Sequence, residues 1–304
     1  MGAADSPVHV PVLLQPVLEA LAPRPGGRYV DATANGGGHL RAVLEAAAPD
    51  GRVLGIDRDP EILTALAGRC APAIDAGRLH LAAGSFASLS TVLAAHQFAP
   101  VDGILFDLGL SSFHLDASGR GFSYSRDEPL DMRFDPTDDA SESAAEILAT
   151  RDADELVAIF RDYGEERFAS RIARTVVARR REQPITTTGQ LLAAIEQSVP
   201  AASRWRATRA AARIFQALRI AANDELEQIA EVLPQAVAAL APGGRLAVIA
   251  FHSLEDRMVK HFLRDQAAAG RLRLLRRKPI MADEAEVAAN PRAASAKLRA
   301  AEKL

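Results

Sequence analysis

Five short apolar runs have strand length: YVDAT (29–33), VLGID (53–57), LHLAAG (79–84), GILFDLG (103–109) and RLAVIAF (245–251). The first four are separated by stretches with helical spacing, RAVLEAAA, EILTALAGRC and LSTVLAAH, each punctuated by Gly or Pro. Strands that alternate with helices return parallel to one another, so the chain is expected to build an α/β domain with a parallel sheet covered on both faces. The alternation then stops. Between residues 109 and 245 lie amphipathic helical patterns such as DADELVAIFRDYG, RFASRIARTVVARRR and TTGQLLAAIEQSV, and no convincing strand. An all-helical domain is therefore expected as an insertion at 113–209, with residues 1–112 and 210–304 forming a discontinuous core. The stretch IFQALRIAANDELEQIAEVLPQAVAAL is expected to return the chain to that core as one helix.

Composition removes several chemistries. With 304 residues and 48% hydrophobic content the chain can bury a substantial core. The only cysteine, Cys70, rules out an internal disulfide, a cysteine-rich zinc site and a CxxC redox pair, and is expected to be structural. No metal is expected. No apolar run reaches the roughly 18 residues of a membrane helix, and MGAADSPVHVPVLL lacks the start of a secretory signal, so a cytoplasmic location is expected. Met1-Gly2 with Ser6 formally fits a myristoylation pattern, but nothing nearby adds a second anchor. The net charge of −3 does not favour nucleic acid, yet Arg167, Arg171, Arg174, Arg179, Arg180 and Arg181 cluster, as do Arg271, Arg273, Arg276, Arg277 and Lys278. These are local basic surfaces for phosphate or the solvated faces of amphipathic helices. Oligomeric state is not legible.

The segment VDATANGGGHLRAVL (30–44) starts as a strand, breaks at three consecutive glycines and resumes as a helix. A P-loop would end in Gly-Lys-Ser/Thr, but Gly38 is followed by His39-Leu40. A dinucleotide turn reads GxGxxG, and counting from Gly36 and Gly38 puts Arg41 where the third glycine belongs. NAD or FAD is thereby disfavoured. What is left is Asp31 at the end of the first strand, the glycine turn, and Asp57 closing the second strand, where such folds bring a carboxylate to a ribose diol. This suits an adenosyl ligand without a pyrophosphate, such as S-adenosylmethionine, with the glycines admitting its methionine part to N–H groups at a helix N-terminus.

Several longer motifs follow in order: HVPVLLQPVLEAL, GGGH, GIDRDP, DLGLSS, LDMRFDP, YGEERFASRIAR, FQALRIAANDELEQI, FHSLEDRMVKHF and NPRAASAKLRAAEKL. Together they resemble, nearly end to end, the ribosomal RNA small subunit methyltransferase H family, also called MraW. The resemblance implies a Rossmann-like class I methyltransferase sheet domain with a helical insertion. It also implies S-adenosylmethionine as donor and N4-methylation of a cytidine in the decoding region of 16S rRNA in the small ribosomal subunit. Carried over position by position, the donor-binding residues are Gly37, Gly38, His39, Asp57, Phe86, Asp107 and His114. Asp57 is expected to accept from the ribose hydroxyls and Phe86 to pack on adenine. Candidate catalytic residues are Asp107, Ser111, Ser112 and His252, and candidate RNA contacts are Arg133, Arg171, Arg174 and Arg213.

The residue chemistry agrees with attack by an amine. Methylation at pyrimidine carbon 5 generally needs a thiolate, and Cys70 sits away from the strand ends. An exocyclic amine needs an acceptor for its N–H and an aligned methyl donor. Asp107-Leu108-Gly109-Leu110 replaces the Asp/Asn-Pro-Pro-aromatic tetrad of many amine methyltransferases, so Asp107 or carbonyls of 107–112 are expected to hold the amine. His252, Ser253, Glu255 and Asp256 are candidates for the nucleotide pocket, with Ser253 and Asp256 also in the spacing of a helix cap. Asp131, Arg133 and Asp135 are expected in a rigid loop joining insertion to core.

The sequence departs from the family pattern in places. Ala32 and Asn35 stand at turn positions where glycine is usual, and Asn tolerates a left-handed conformation. Pro16 stands where an acid is usual, RAAARIFQALRI lacks the customary His-Pro while keeping Arg213, and 264–282 is short. Alternatives that stay open are a methyltransferase acting on another RNA or a small-molecule amine, a nicotinamide-dependent oxidoreductase, and a non-catalytic RNA-binding assembly factor.

Overall fold

The structure, a computed structural model, describes residues 11–304; the Met1-Gly2 and Ser6 pattern and the first two residues of HVPVLLQPVLEAL lie outside them. The chain divides into two compact units, one formed by residues up to Gly109 together with Leu226–Leu304 and the other by Leu110–Glu225.

In the first unit the chain runs α1 (Leu14–Leu21), β1 (Arg28–Asp31), α2 (Gly38–Ala46), β2 (Arg52–Asp57), α3 (Pro60–Arg69), α4 (Ala71–Asp75), β3 (Leu79–Ala83), α5 (Leu89–Ala95) and β4 (Val101–Asp107). The second unit carries α6 (Ser112–Asp116), α7 (Ala144–Thr150), α8 (Ala153–Asp162), α9 (Ala169–Glu182), α10 (Thr188–Ser198) and α11 (Ala207–Asn223). The first unit resumes with α12 (Glu225–Ala239), β5 (Leu240–Ala250), α13 (Ser253–Ala268), β6 (Leu272–Leu274), α14 (Glu284–Ala289) and β7 (Lys297–Lys303).

The seven strands form one sheet in the order β3-β2-β1-β4-β5-β7-β6. β1, β2, β3, β4 and β5 pair in parallel, while β7 lies antiparallel between β5 and β6. This is the class I methyltransferase arrangement: the five expected strands pair in parallel, and β7 and β6 extend the sheet with an antiparallel edge that the sequence reading did not include. The strand that breaks the pattern is KLRAAEK, whose alanines and charges carry little β-propensity; pairing with β5 on one side and β6 on the other makes it a strand. Chain order reverses between β1 and β4, the place where open α/β sheets leave a crevice beyond their carboxyl ends. Leu54, Ile56, Ile104, Phe106, Leu246 and Val248 are buried along the central strands, so the sheet's middle is a rigid platform for those ends.

The helical unit starts its helices with reciprocal caps: Ser143 with Glu146 at α7, Asp152 with Glu155 at α8, and Thr187 with Gln190 at α10. Its core gathers Ile147, Leu156, Phe160, Ile172, Val176, Leu191, Ile195, Ile214 and Leu218. α11 belongs here and not to the sheet domain, so the second boundary falls after Glu225 and not at 209–210. The expected single return helix is also two helices: α11 ends at Asp224, whose left-handed backbone (φ 50°) breaks the run before α12. The apolar period continues across that break, which is why the sequence reads as one helix.

The LDMRFDP loop lies inside the helical unit. Asn223, 1% exposed, accepts from the Phe134 amide at 2.8 Å and donates to the Met132 carbonyl at 2.7 Å and the Arg219 carbonyl at 3.0 Å. Met132 is buried in a left-handed conformation (φ 61°), which a β-carbon-bearing residue adopts only under such clamping. Asn223→Ala strands a part-buried amide and a buried carbonyl. It should cost about 2–4 kcal/mol, read as a lowered urea midpoint, whereas a midpoint like that of the parent would refute the clamp.

Candidate active site

The turn after β1 is shaped by close packing. Asn35 takes φ 46° and Gly37 φ 79°, so the Asn at a usual glycine position does adopt the left-handed form. A β-carbon on Gly37 would meet Leu66 Cδ2 at 2.3 Å, and one on Gly38 would meet the Pro11 ring at 3.0 Å. At these two positions the missing side chain makes room for protein atoms, which differs from the expected approach of a ligand. Gly37 caps α2 without a side-chain acceptor, and the first amides of a helix have no intrahelical partner, so α2 presents N–H groups at this edge.

Around the turn the ends of β1, β2 and β4 are tied together by their own polar groups. The Thr33 hydroxyl accepts from the Asp107 amide at 2.6 Å, and the Thr33 amide donates to Asp31 at 3.2 Å. Asp57 accepts from the Asn35 amide at 2.7 Å and the Asp59 amide at 2.9 Å, one on each oxygen. These amides hold the carboxylate of Asp57 at the end of β2, beside the turn.

His39 sits in the middle of these acids, 4% exposed. Its Nε2 is 2.9 Å from the Val12 carbonyl, which can only accept, so Nε2 carries a proton. Its Nδ1 faces Asp107 Oδ2 at 3.5 Å, an ion-pair distance that is attractive when the ring holds a second proton. Burial works against that charge, but hydrogen bonding and attraction from Asp107, with help from Asp31, win and raise His39 above its ordinary value. Burial also pushes Asp31 up to about 7, against the pull of His39 and the Thr33 amide and with the repulsion of Asp107 and Asp57. Asp107 Oδ1 is buried with no hydrogen-bond partner. A carboxylate oxygen left so is costly unless something else binds it, and it is the one feature of this cluster that asks for a donor from outside.

Phe86, half-buried just after β3, meets Phe106 edge to face with ring centroids 5.8 Å apart. His252 is the N-cap of α13, closed by Glu255 in a reciprocal box, with Nε2 3.2 Å from Glu255 Oε1. The cap therefore falls one residue earlier than the expected Ser253–Asp256 pair. Asp256 instead holds Arg299 at 2.7 Å and Lys297 at 3.6 Å, which keeps its carboxyl below the ordinary range against the effect of burial. Cys70, buried between α3 and α4, takes no part.

The remaining residues belong to the helical unit. Ser111 caps α6 in a reciprocal box with His114, whose ring packs beside Phe113, Phe122 and Phe134. Ser112 is the first residue of α6. Arg133 spends four of its five N–H donors internally, on both oxygens of Asp131 and on the carbonyls of Asp138 and Ser141, so it is a brace and not a phosphate contact. Arg213 donates to the Glu165 carbonyl at 3.1 Å and lies 3.7 Å from Glu166. Arg171 and Arg174 are exposed on α9, Arg174 donating to the Ser170 carbonyl. Thr33 is the site residue that sequence reading missed; its signal is the Asp-x-Thr spacing at a strand end.

The buried acids and histidine make a stability prediction. Asp31 is an acid raised on folding and His39 a base raised on folding, so the folded state binds more protons than the unfolded chain from about pH 4 to about pH 8. Stability should fall as pH rises through that window, and Asp31→Asn should remove most of the fall below neutrality. Urea midpoints from about pH 5 to about pH 8 test this, and equal slopes for parent and variant would overturn it.

Residues 6–304 match the family model described as the MraW methylase family. The chain is 51% identical to a ribosomal RNA small subunit methyltransferase H of Thermomicrobium roseum, over 98% of this chain and 94% of that protein. It is 47% identical to the protein of that name from Heliobacterium modesticaldum, over 97% and 98%, and 48% identical to that of Thioalkalivibrio sulfidiphilus, over the whole of both. Likeness of this extent covers the helical insertion as well as the sheet and sets aside the nicotinamide reading, and so the chain belongs to the MraW methylase family.

Proposed function

We propose that this protein transfers a methyl group from S-adenosylmethionine to N4 of a cytidine in the decoding region of 16S rRNA, within the small ribosomal subunit. The observation that carries the reading is the buried, unsatisfied Oδ1 of Asp107 at the end of β4, whose other oxygen faces His39 Nδ1 at 3.5 Å. Family membership and the names of the relatives support the rRNA substrate class.

The residues present fit the donor. Asp57 places a carboxylate at the end of β2 for ribose hydroxyls, α2 offers amides to a carboxylate, and Phe86 offers a half-buried ring for adenine. Gly37, Gly38 and His39 shape the turn that sets those amides in place. When bound, the donor supplies an electrophilic sulfonium methyl. The cytosine amine is a weak nucleophile because its lone pair is delocalised into the ring, so the protein's task is orientation and charge. Asp107 Oδ1 accepts an amine N–H and turns the lone pair toward the methyl. His39 Nδ1 faces the other carboxylate oxygen and fixes its orientation, and Thr33 holds its backbone. Once the bond to carbon forms, N4 carries an extra proton, which Asp107 Oδ1 accepts.

Arg171 and Arg174 on the exposed face of α9 give phosphate contacts to the surrounding rRNA, and the base enters unpaired. Ser111, Ser112, His114 and His252 act through the helix starts they build, which set the segments following β4 and β5.

The test is incubation with small subunits from cells lacking the endogenous activity and labelled S-adenosylmethionine, followed by nucleoside mass spectrometry. N4-methylcytidine at one site is expected, and a different methylated nucleoside would overturn the assignment. Asp107→Asn should lower kcat by roughly 100-fold or more with donor affinity little changed. Near-parental turnover would remove the carboxylate from the mechanism.

A further inference from the structure

The one tryptophan of the chain is on the surface. Trp205, in the short 3-10 stretch Ala201–Arg206 before α11, is 70% exposed. An indole is among the largest apolar groups a protein can hide, and the helical unit leaves this one in water. Among the described residues its ring contact is with the Arg206 guanidinium, 4.3 Å from the ring centroid. The cation pins the ring while most of the indole surface stays in solvent.

The surrounding charge is of one sign. From Ala201 to Asn223 the chain carries Arg204, Arg206, Arg209, Arg213 and Arg219 and no Asp or Glu. Arg219 is paired with Glu225 at 2.7 Å, and Arg213 leans on Glu165 and Glu166. Among the described residues Arg206 and Arg209 have no acidic partner, and Arg209 is exposed one helical step from the tryptophan. An exposed aromatic ring next to unneutralised arginines, in a chain of net charge −3, is complementary to a nucleobase and its phosphates.

We propose that Trp205 and Arg206 form a stacking platform for an unpaired nucleobase of the substrate RNA, with Arg209 taking an adjacent phosphate. The proposal rests on the RNA substrate read above and adds a binding subsite in the helical unit, built from residues other than those assigned to methyl transfer. Stacking tolerates any base, so the platform contributes affinity and register while the sheet's carboxyl edge selects the reacting atom.

Because Trp205 is the sole tryptophan, indole emission reports on this residue alone. The test titrates the full chain with fluorescein-labelled oligouridylate, reading RNA binding by anisotropy and Trp205 by its emission. Quenching that follows the binding curve is expected, with Trp205→Ala binding roughly 10-fold weaker and Trp205→Phe recovering most of the loss. With small subunits as substrate, Trp205→Ala should raise KM and leave kcat near the parent's. Saturated RNA binding with unmoved emission, or an alanine variant that binds as tightly as the parent, would overturn the platform while leaving methylation intact. Emission changed by ribosomal proteins freed of rRNA, but not by RNA, would assign the surface to a protein partner and likewise overturn it. Loss of both RNA binding and subunit methylation in the parent would bring down the RNA reading itself.

Discussion

The structure depends on how charge is kept at the end of β1. Three carboxylates, Asp31, Asp57 and Asp107, arrive there because three parallel strands end together, and two of them are buried with His39 in their midst. Like charges in a low-dielectric edge repel, and without a cation they would be driven to protonate or to splay the strands. His39, whose pKa Asp107 and Asp31 raise against the effect of burial, is the group that can carry that charge, from the first turn of α2 and held in place by the carbonyl of Val12. The glycine turn, the packing of Leu66 and Pro11 against it, and the seating of the chain before α1 all serve to hold that one ring.

The same arrangement prepares the site. In the proposed reaction, a carboxylate whose one oxygen faces the His39 ring and whose other oxygen is buried without a partner is already desolvated, so little reorganisation is left. The cost appears as a fold that favours lower pH than its other groups require. Strain of this kind is concentrated where chemistry is done, while caps and apolar packing stabilise the helical unit on their own.

Much of this was legible in the residues, and the failures have definite causes. The alternation of strands and helices located the first five strands, and the spacing from the glycine turn to Asp57 located a polar strand end opposite it. β7 was invisible because LRAAEK has the composition of a helix. The junction of α11 and α12 was invisible because hydrophobic period says nothing about a single left-handed residue such as Asp224. Arg133 read as a free cation because Asp131, two residues away, becomes its partner only once the loop closes. Trp205 carries no pattern at all, since exposure is a property of what fails to pack against a residue.

By itself the sequence determined the class of the fold, the presence of a helical insertion, and which residue types stand at the strand ends, because periodicity and turn chemistry are local and survive in one dimension. The comparisons with relatives place the chain in its family on the same one-dimensional basis. Only the tertiary structure decided that His39 is buried with its pKa raised by Asp107 and Asp31, that Asp107 has a bare oxygen, and that Arg206 rather than a core receives Trp205. Protonation, satisfaction and exposure are set by what lies nearby in space, and the partners that set them here come from distant stretches of chain.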